Sequence, residues 1–272
     1  MPVRSPLDAR PLLVGVVHLP ALPGAPAWRP TRHGRPDFVA RAVSDAVAYA
    51  EAGFDAVIVE NYGDAPFFKD AVPAETVASL AAACHAVRTV LSGAMAVGVN
   101  VLRNDGLSAM SVAAACGLDF VRVNVLAGTM ATDQGVVEGR AAEIARARAR
   151  LSPRVRIWAD VRVKHAVPVA PRNLDEEVRD LVHRGGADLV IVTGPRTGAP
   201  ADLDRLRAVR SAADGTPLVV GSGATAANVA AALAVADGVI VGTSVKRGGA
   251  TGNPVDPGRA RAFASAARRQ RR

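Results

Sequence analysis

Eight short apolar runs, rich in valine and isoleucine, recur along this chain at roughly regular spacing, each followed by an amphipathic or alanine-rich stretch. The alternation predicts strands at Leu12–His18, Ala56–Glu60, Ala94–Val101, Phe120–Asn124, Val155–Val161, Leu189–Thr193, Leu218–Gly221 and Gly238–Gly242. It predicts helices over about Asp37–Ala52, Ala74–Leu91, Gly106–Cys116, Glu138–Leu151, Asp175–Arg184, Leu203–Ala212, Ala226–Ala234 and Pro257–Arg268. Strands that alternate with helices pair in parallel, and near-continuous apolar runs are strands buried on both faces. Eight such units close on themselves. The expected fold is therefore α/β, a (β/α)8 TIM barrel forming a single domain over residues 1–272, with 1–10 and 268–272 as flexible ends. Gly53-Phe54-Asp55, Gly117-Leu118-Asp119 and Gly186-Ala187-Asp188 repeat just ahead of strands, where glycine ends the preceding helix.

Composition narrows the function. The net charge of +8 is almost all arginine, spread along helix faces with no interleaved aromatics, which argues against a nucleic-acid partner. Cys84 and Cys116 sit in alanine-rich helical stretches and read as small core residues, consistent with a reducing cytoplasm. Residues 11–27 resemble a secretory leader, but Asp8 precedes them and His18, Pro20 and Pro23 break the apolar run. Asn228 and Asp237 likewise interrupt 218–241, which reads as strand, helix and strand, with no transmembrane segment.

Barrels of this kind do their chemistry at the C-terminal strand ends. The last two strands run into glycine-rich turns. One is Gly221, Ser222, Gly223 and Ala224, which opens into a helix; the other is Gly242, Thr243 and Ser244. Main-chain N–H groups of two such turns can converge on a phosphate, helped by the positive end of a helix. The alternative is a pair of tight turns with no ligand.

The other strand ends carry the candidate catalytic groups His18, Glu60, Asp160, Lys164 and His165. Glu60 stands at the tip of an apolar strand, where burial disfavours its charged form, and is a candidate general acid or base with Asp160 as partner. Glu60, Asp160 and His18 can alternatively hold a divalent metal, although no dense ligand motif supports one and no cofactor is identified. Asp160, Arg162 and Lys164 share one face if the strand extends that far. Lys164 can form a Schiff base or act through its charge; the electrostatic role is preferred. His18 and His165 can shuttle protons or simply be hydrogen-bonded, whereas His33, His85 and His183 read as structural. Asn61, Asp64, Asn100, Asn124 and Thr193 are candidates for binding substrate hydroxyls, the alternative being that they satisfy their own loops. The loop from Val125 to Val137 is long enough to be a lid. No nucleophile elbow, Walker loop or dinucleotide fingerprint is present. These groups suit isomerisation, epimerisation or aldol-type cleavage of a small phosphorylated ligand, since each moves a proton beside a carbonyl.

Several segments are distinctive: VGVVHLPALPGAP (14–26), GFDAVIVENYGDAPF (53–67), GVNVLRND (98–105), DFVRVNVLAG (119–128), VVGSGATAANV (219–229) and GTSVKRGGATGNPVD (242–256). Together they resemble the BtpA/SgcQ family from about residue 12 to about 266. The resemblance implies a (β/α)8 barrel similar to phosphosugar-binding enzymes. One branch of the family is named for photosystem I biogenesis and associates peripherally with thylakoid membranes; another lies among sugar-metabolism genes. A non-catalytic assembly or regulatory role is therefore the alternative to an enzyme. Barrels of this type are also expected to form homo-oligomers.

Overall fold

The computed structural model describes residues 5–30, 37–91, 93, 95–194 and 202–269. Expectations that fall on 1–4, His33, Ala94 and 270–272 lie outside the described residues. The strands are β1 (Leu12–His18), β2 (Ala56–Glu60), β3 (Ala96–Asn100), β4 (Phe120–Val123), β5 (Thr129–Thr132), β6 (Gly135–Glu138), β7 (Arg156–Val161), β8 (Ala166–Pro168), β9 (Leu189–Val192), β10 (Leu218–Val220) and β11 (Gly238–Val241). The helices are α1 (Asp37–Glu51), α2 (Ala74–Leu91), α3 (Gly106–Cys116), α4 (Ala141–Leu151), α5 (Leu174–Arg179), α6 (Leu203–Ala212), α7 (Val229–Leu233) and α8 (Pro257–Arg268). Eight parallel strands close a barrel in the order β1-β11-β10-β9-β7-β4-β3-β2. Helices lie between successive strands, so the chain is a single (β/α)8 TIM barrel.

Four segments differ from expectation; one is the fifth helix, whose α-helical part ends at Arg179 and continues as a π-helical turn over Asp180–Arg184. The loop from Val125 to Val137 is not a free lid: it holds the hairpin β5–β6, which pairs with β8 in a small antiparallel sheet. Val125, Met130, Val137 and Val163 pack beneath that sheet and anchor it. Because β6 uses Gly135–Glu138, α4 starts at Ala141 and not at Glu138. Helix α7 starts late because Asn228 Oδ1 accepts from the Thr225 amide at 2.8 Å, which holds that stretch in a turn.

Strand periodicity sorts the core into two layers. Odd positions of β1 and β2, such as Leu13, Val17, Val57 and Val59, pack outward under the helices. Even positions, Leu12, Val14, Val16, Ala56 and Ile58, pack inside the barrel. Phe120 and Trp158 stack there with ring centroids 3.7 Å apart, and Leu7 joins the same cluster. Gly98 makes room for this stack, since a Cβ there would lie 2.3 Å from the Phe120 ring.

The Gly-x-Asp repeats do more than end helices. Asp55 accepts the Leu13 amide (2.8 Å) and Arg268 (2.7 Å). Asp119 accepts the Val97 amide (2.8 Å) and Arg88 (2.8 Å). Asp188 accepts the Ile157 amide (2.7 Å) and Arg148 (2.8 Å). Asp237 repeats the pattern with the Leu218 amide (2.8 Å) and Arg210 (2.6 Å). Each aspartate, just ahead of its own strand, ties the start of the preceding barrel strand to a helix arginine. The latches sit at the N-terminal face, leaving the opposite mouth for chemistry.

Candidate functional site

The inward positions change character at the mouth. His18, Glu60, Asn100 and Arg122 are consecutive register partners across β1, β2, β3 and β4. Asp160, Thr193, Gly221 and Gly242 take the corresponding places at or just past the ends of β7, β9, β10 and β11. The period-2 pattern that fills the barrel with Val and Ile therefore delivers a ring of polar groups and glycines at its top.

Arg122 organises the ring. Its guanidinium donates to both oxygens of Asp160, each at 2.9 Å, and lies 3.9 Å from Glu60. The two bidentate partners are 3% and 0% exposed at the side chain. Burial opposes the Arg122 charge, but the carboxylates more than offset it and raise its pKa above the ordinary arginine value. Asn124 donates to Asp160 at 3.4 Å, and Asn100 donates to Asn124 at 3.1 Å. The guanidinium thus stands between the two carboxylates that a metal at this position would have to bridge. Among the described residues no cluster of three or more His, Cys, Asp or Glu is arranged to ligate a metal.

Glu60 is buried, with its Oε1 4.0 Å from His18 Nε2. Burial, followed by the charges of Lys246, Lys164 and Arg122, drives the His18 pKa well below its ordinary value, so this imidazole is neutral. Its Nδ1 is buried without a hydrogen-bond partner among the described residues. The ring packs over Gly242, where a Cβ would come within 2.5 Å of His18 Cε1, and meets Tyr62 edge-on at 4.9 Å.

The two glycine turns meet. Ser244 Oγ donates to Ala224 O at 2.7 Å, and both turns line one cavity of about 210 Å³ with His18, Glu60, Arg122 and Lys164. Within the first turn the roles differ. The Gly221 amide is spent on Val192 O at 2.8 Å; this glycine is needed because a Cβ would lie 2.5 Å from Ile191. Ser222 Oγ accepts the Gly194 amide at 2.9 Å, and Gly223 takes a left-handed φ of 72°. The amides of Gly223, Ala224 and Thr243 have no acceptor among the described residues.

Strand β7 ends at Val161, and Arg162 adopts φ 47°, so Asp160, Arg162 and Lys164 do not share a face. Arg162 turns away to Glu177 at 2.7 Å. Lys164 enters the mouth, its backbone fixed by Thr193 Oγ1 (3.1 Å) and by Arg103, which donates to its carbonyl (2.8 Å). It makes no ion pair with Asp160, because Arg122 occupies that carboxylate. Burial first, then Arg122, lowers its pKa from the usual lysine range. Lys246, the other lysine near a strand end, is fully buried against Asp45 at 2.8 Å and does not reach the cavity.

A second cavity of about 440 Å³ adjoins the first and shares Glu60, Arg122 and Lys164 with it. His165 and Asn124 line it. Burial, followed by Lys164 and Arg103, lowers the His165 pKa. The remaining candidates for substrate binding hold loops. Asn61 exchanges hydrogen bonds with Leu102 and donates to Asp64 (3.1 Å), while Asp64 accepts the Leu22 amide (2.8 Å). Thr193 accepts the Lys164 amide, whereas Asn100, 1% exposed, donates within the ring to Arg122 O and keeps a buried Oδ1 without a partner among the described residues. From sequence Arg122 and Arg103 are placed at the strand ends but given no role in the site, and Tyr62 and Phe67 are given none either, although all four line the cavity. An arginine inside the apolar run Phe120–Val123 was the available signal, since such a charge is buried only with a partner.

Relatives cover the chain nearly end to end. A Pyrococcus horikoshii protein is 47% identical over 249 residues, covering 91% of this chain and 92% of that one. The photosystem I biogenesis protein BtpA of Synechocystis sp. is 43% identical over 254 residues, covering 93% and 87%. Among solved structures, N-(5'-phosphoribosyl)anthranilate isomerase of Pyrococcus furiosus superposes with a TM-score of 0.56 at 16% identity, covering 95% and 99%, a likeness of fold. The BtpA family model matches residues 9–269, and the chain belongs to the BtpA family.

Proposed function

We propose that this protein is an enzyme acting on a phosphorylated sugar or related phosphometabolite, with acid–base chemistry of the isomerase, epimerase or lyase type. The observation that carries the reading is the shared cavity: two glycine turns, whose Gly223, Ala224 and Thr243 amides meet no acceptor among the described residues, face Glu60, Arg122 and Lys164 across one mouth. A phosphate held by the Gly223, Ala224 and Thr243 amides sets the carbon skeleton over Glu60. Glu60 moves the proton. Lys164 and Arg122 stabilise the negative charge that develops on the adjacent oxygen, and neutral His18 hydrogen-bonds without competing as a cation. Asp160 positions Arg122, since both of its oxygens accept from the guanidinium. The isomerase name of the P. furiosus neighbour agrees with this chemistry.

The test is differential scanning of the wild type with phosphosugars, followed by turnover assays on Glu60→Gln. A ligand at one hundred times its Kd adds about 2.7 kcal/mol of stability. Glu60→Gln is expected to keep that shift and lose turnover; an unchanged rate rejects the assignment. The name of the Synechocystis relative favours a second reading, an assembly factor that retains the pocket. Among the described residues no helix is long and apolar enough to cross a membrane, so such a role would use a surface. It predicts a partner-dependent phenotype that survives Glu60→Gln.

A further inference from the structure

We propose that the ligand of this site is two-ended, with an aromatic or heteroaromatic ring in the second chamber, opposite the phosphate; this rests on the phosphate reading above. The chambers of about 210 and 440 Å³ meet at Glu60, Arg122 and Lys164, so the reacting carbon lies at their junction. A short sugar phosphate occupies the first chamber and leaves the larger one to water.

The wall of the larger chamber says what fills it. Tyr62, Phe67 and Leu102 give it one apolar, largely aromatic side; the facing side is polar, with Arg103, Asn124, Asp133 and His165 beside the three residues of the junction. Sugar hydroxyls require donors and acceptors on every side. A flat π-system instead packs on aromatic rings and on a guanidinium plane, and hydrogen-bonds only at its edge. Both elements are held in place before a ligand arrives. The Tyr62 ring stands at 69° to His18, and Arg103, 5% exposed, is tied to the Lys164 carbonyl at 2.8 Å. The ligand class is therefore a phosphorylated sugar bearing an aromatic or heteroaromatic substituent, of mononucleotide size.

Isothermal titration of the full chain with inorganic phosphate, ribose 5-phosphate, adenosine 5'-monophosphate and uridine 5'-monophosphate tests this. At least one nucleotide is expected to bind about tenfold or more tightly than ribose 5-phosphate. Tyr62→Leu and Phe67→Ala are expected to remove that gain while ribose 5-phosphate binds as to the wild type, which also reports that each variant folds. The inference is overturned if neither nucleotide exceeds ribose 5-phosphate, or if the gain survives in both variants. Should inorganic phosphate and ribose 5-phosphate also fail to bind, the phosphate reading falls with it. If they bind and the nucleotides gain nothing, only the ring chamber is lost.

Discussion

Replacing Arg122 by methionine separates the ring's architecture from its chemistry. The substitution keeps most of the stem and deletes two hydrogen bonds of 2.9 Å to a carboxylate with no exposed surface. Asp160 would then keep only the 3.4 Å contact with Asn124. Removing one partner of such a buried pair costs about 3–5 kcal/mol, because the other charge is left in a poorly polarisable interior. For a chain of this size that corresponds to a fall in Tm of roughly 6–20 °C. Urea denaturation with linear extrapolation, run beside a thermal scan, measures it. The double variant Arg122→Met/Asp160→Leu removes both charges and is expected to recover much of the loss, since an apolar pair avoids the desolvation penalty. A single variant that loses less than about 1 kcal/mol, or a double variant no better than the single, refutes the reasoning.

Three further expectations rest on other parts of the molecule. The pKa of His18 lies well below 6.5 in the folded chain, so the unfolded chain takes up a proton first as pH falls. Stability is therefore fully present above about pH 7 and declines below it, by up to about 1.4 kcal/mol per pH unit from this residue, and His18→Gln should flatten the decline between pH 7 and 5 in denaturation curves. Asp119→Ala breaks one N-terminal latch; with Asp119 partly exposed, it should cost about 1–2 kcal/mol in urea and leave phosphate affinity untouched in calorimetry. Lys246→Met strips Asp45 of its 2.8 Å partner beside the second glycine turn and leaves Arg41 at 3.3 Å. It should destabilise by about 3 kcal/mol and weaken phosphate binding, whereas unchanged affinity would show that the turn is held without the pair.

Strand and helix order was legible because hydrophobic periodicity and glycine stops agree in this chain. Strands β1 and β2 and helices α2, α3, α6 and α8 match expectation residue for residue. The hairpin β5–β6 was not legible, since its apolar contacts are few and come from distant segments such as Val163. The site was half legible. Strand ends identify which residues reach the mouth, but not which partners they meet there. Asn61 and Asp64 look like ligand groups in sequence, yet their bonds run to Leu102 and Leu22, on neighbouring loops. Asp160 looks like an acid until Arg122, 38 residues away, is seen to take both its oxygens. The aspartates of the Gly-x-Asp repeats hid their function in the same way, because each acts on the strand before its own.

A crystal structure of the wild-type chain soaked with inorganic phosphate tests the central claim most directly. The account predicts phosphate density at the main-chain amides of Gly223, Ala224 and Thr243, on the side that faces Lys164. A cavity left without phosphate at saturating concentration, or an anion bound only on the outer surface, would contradict it.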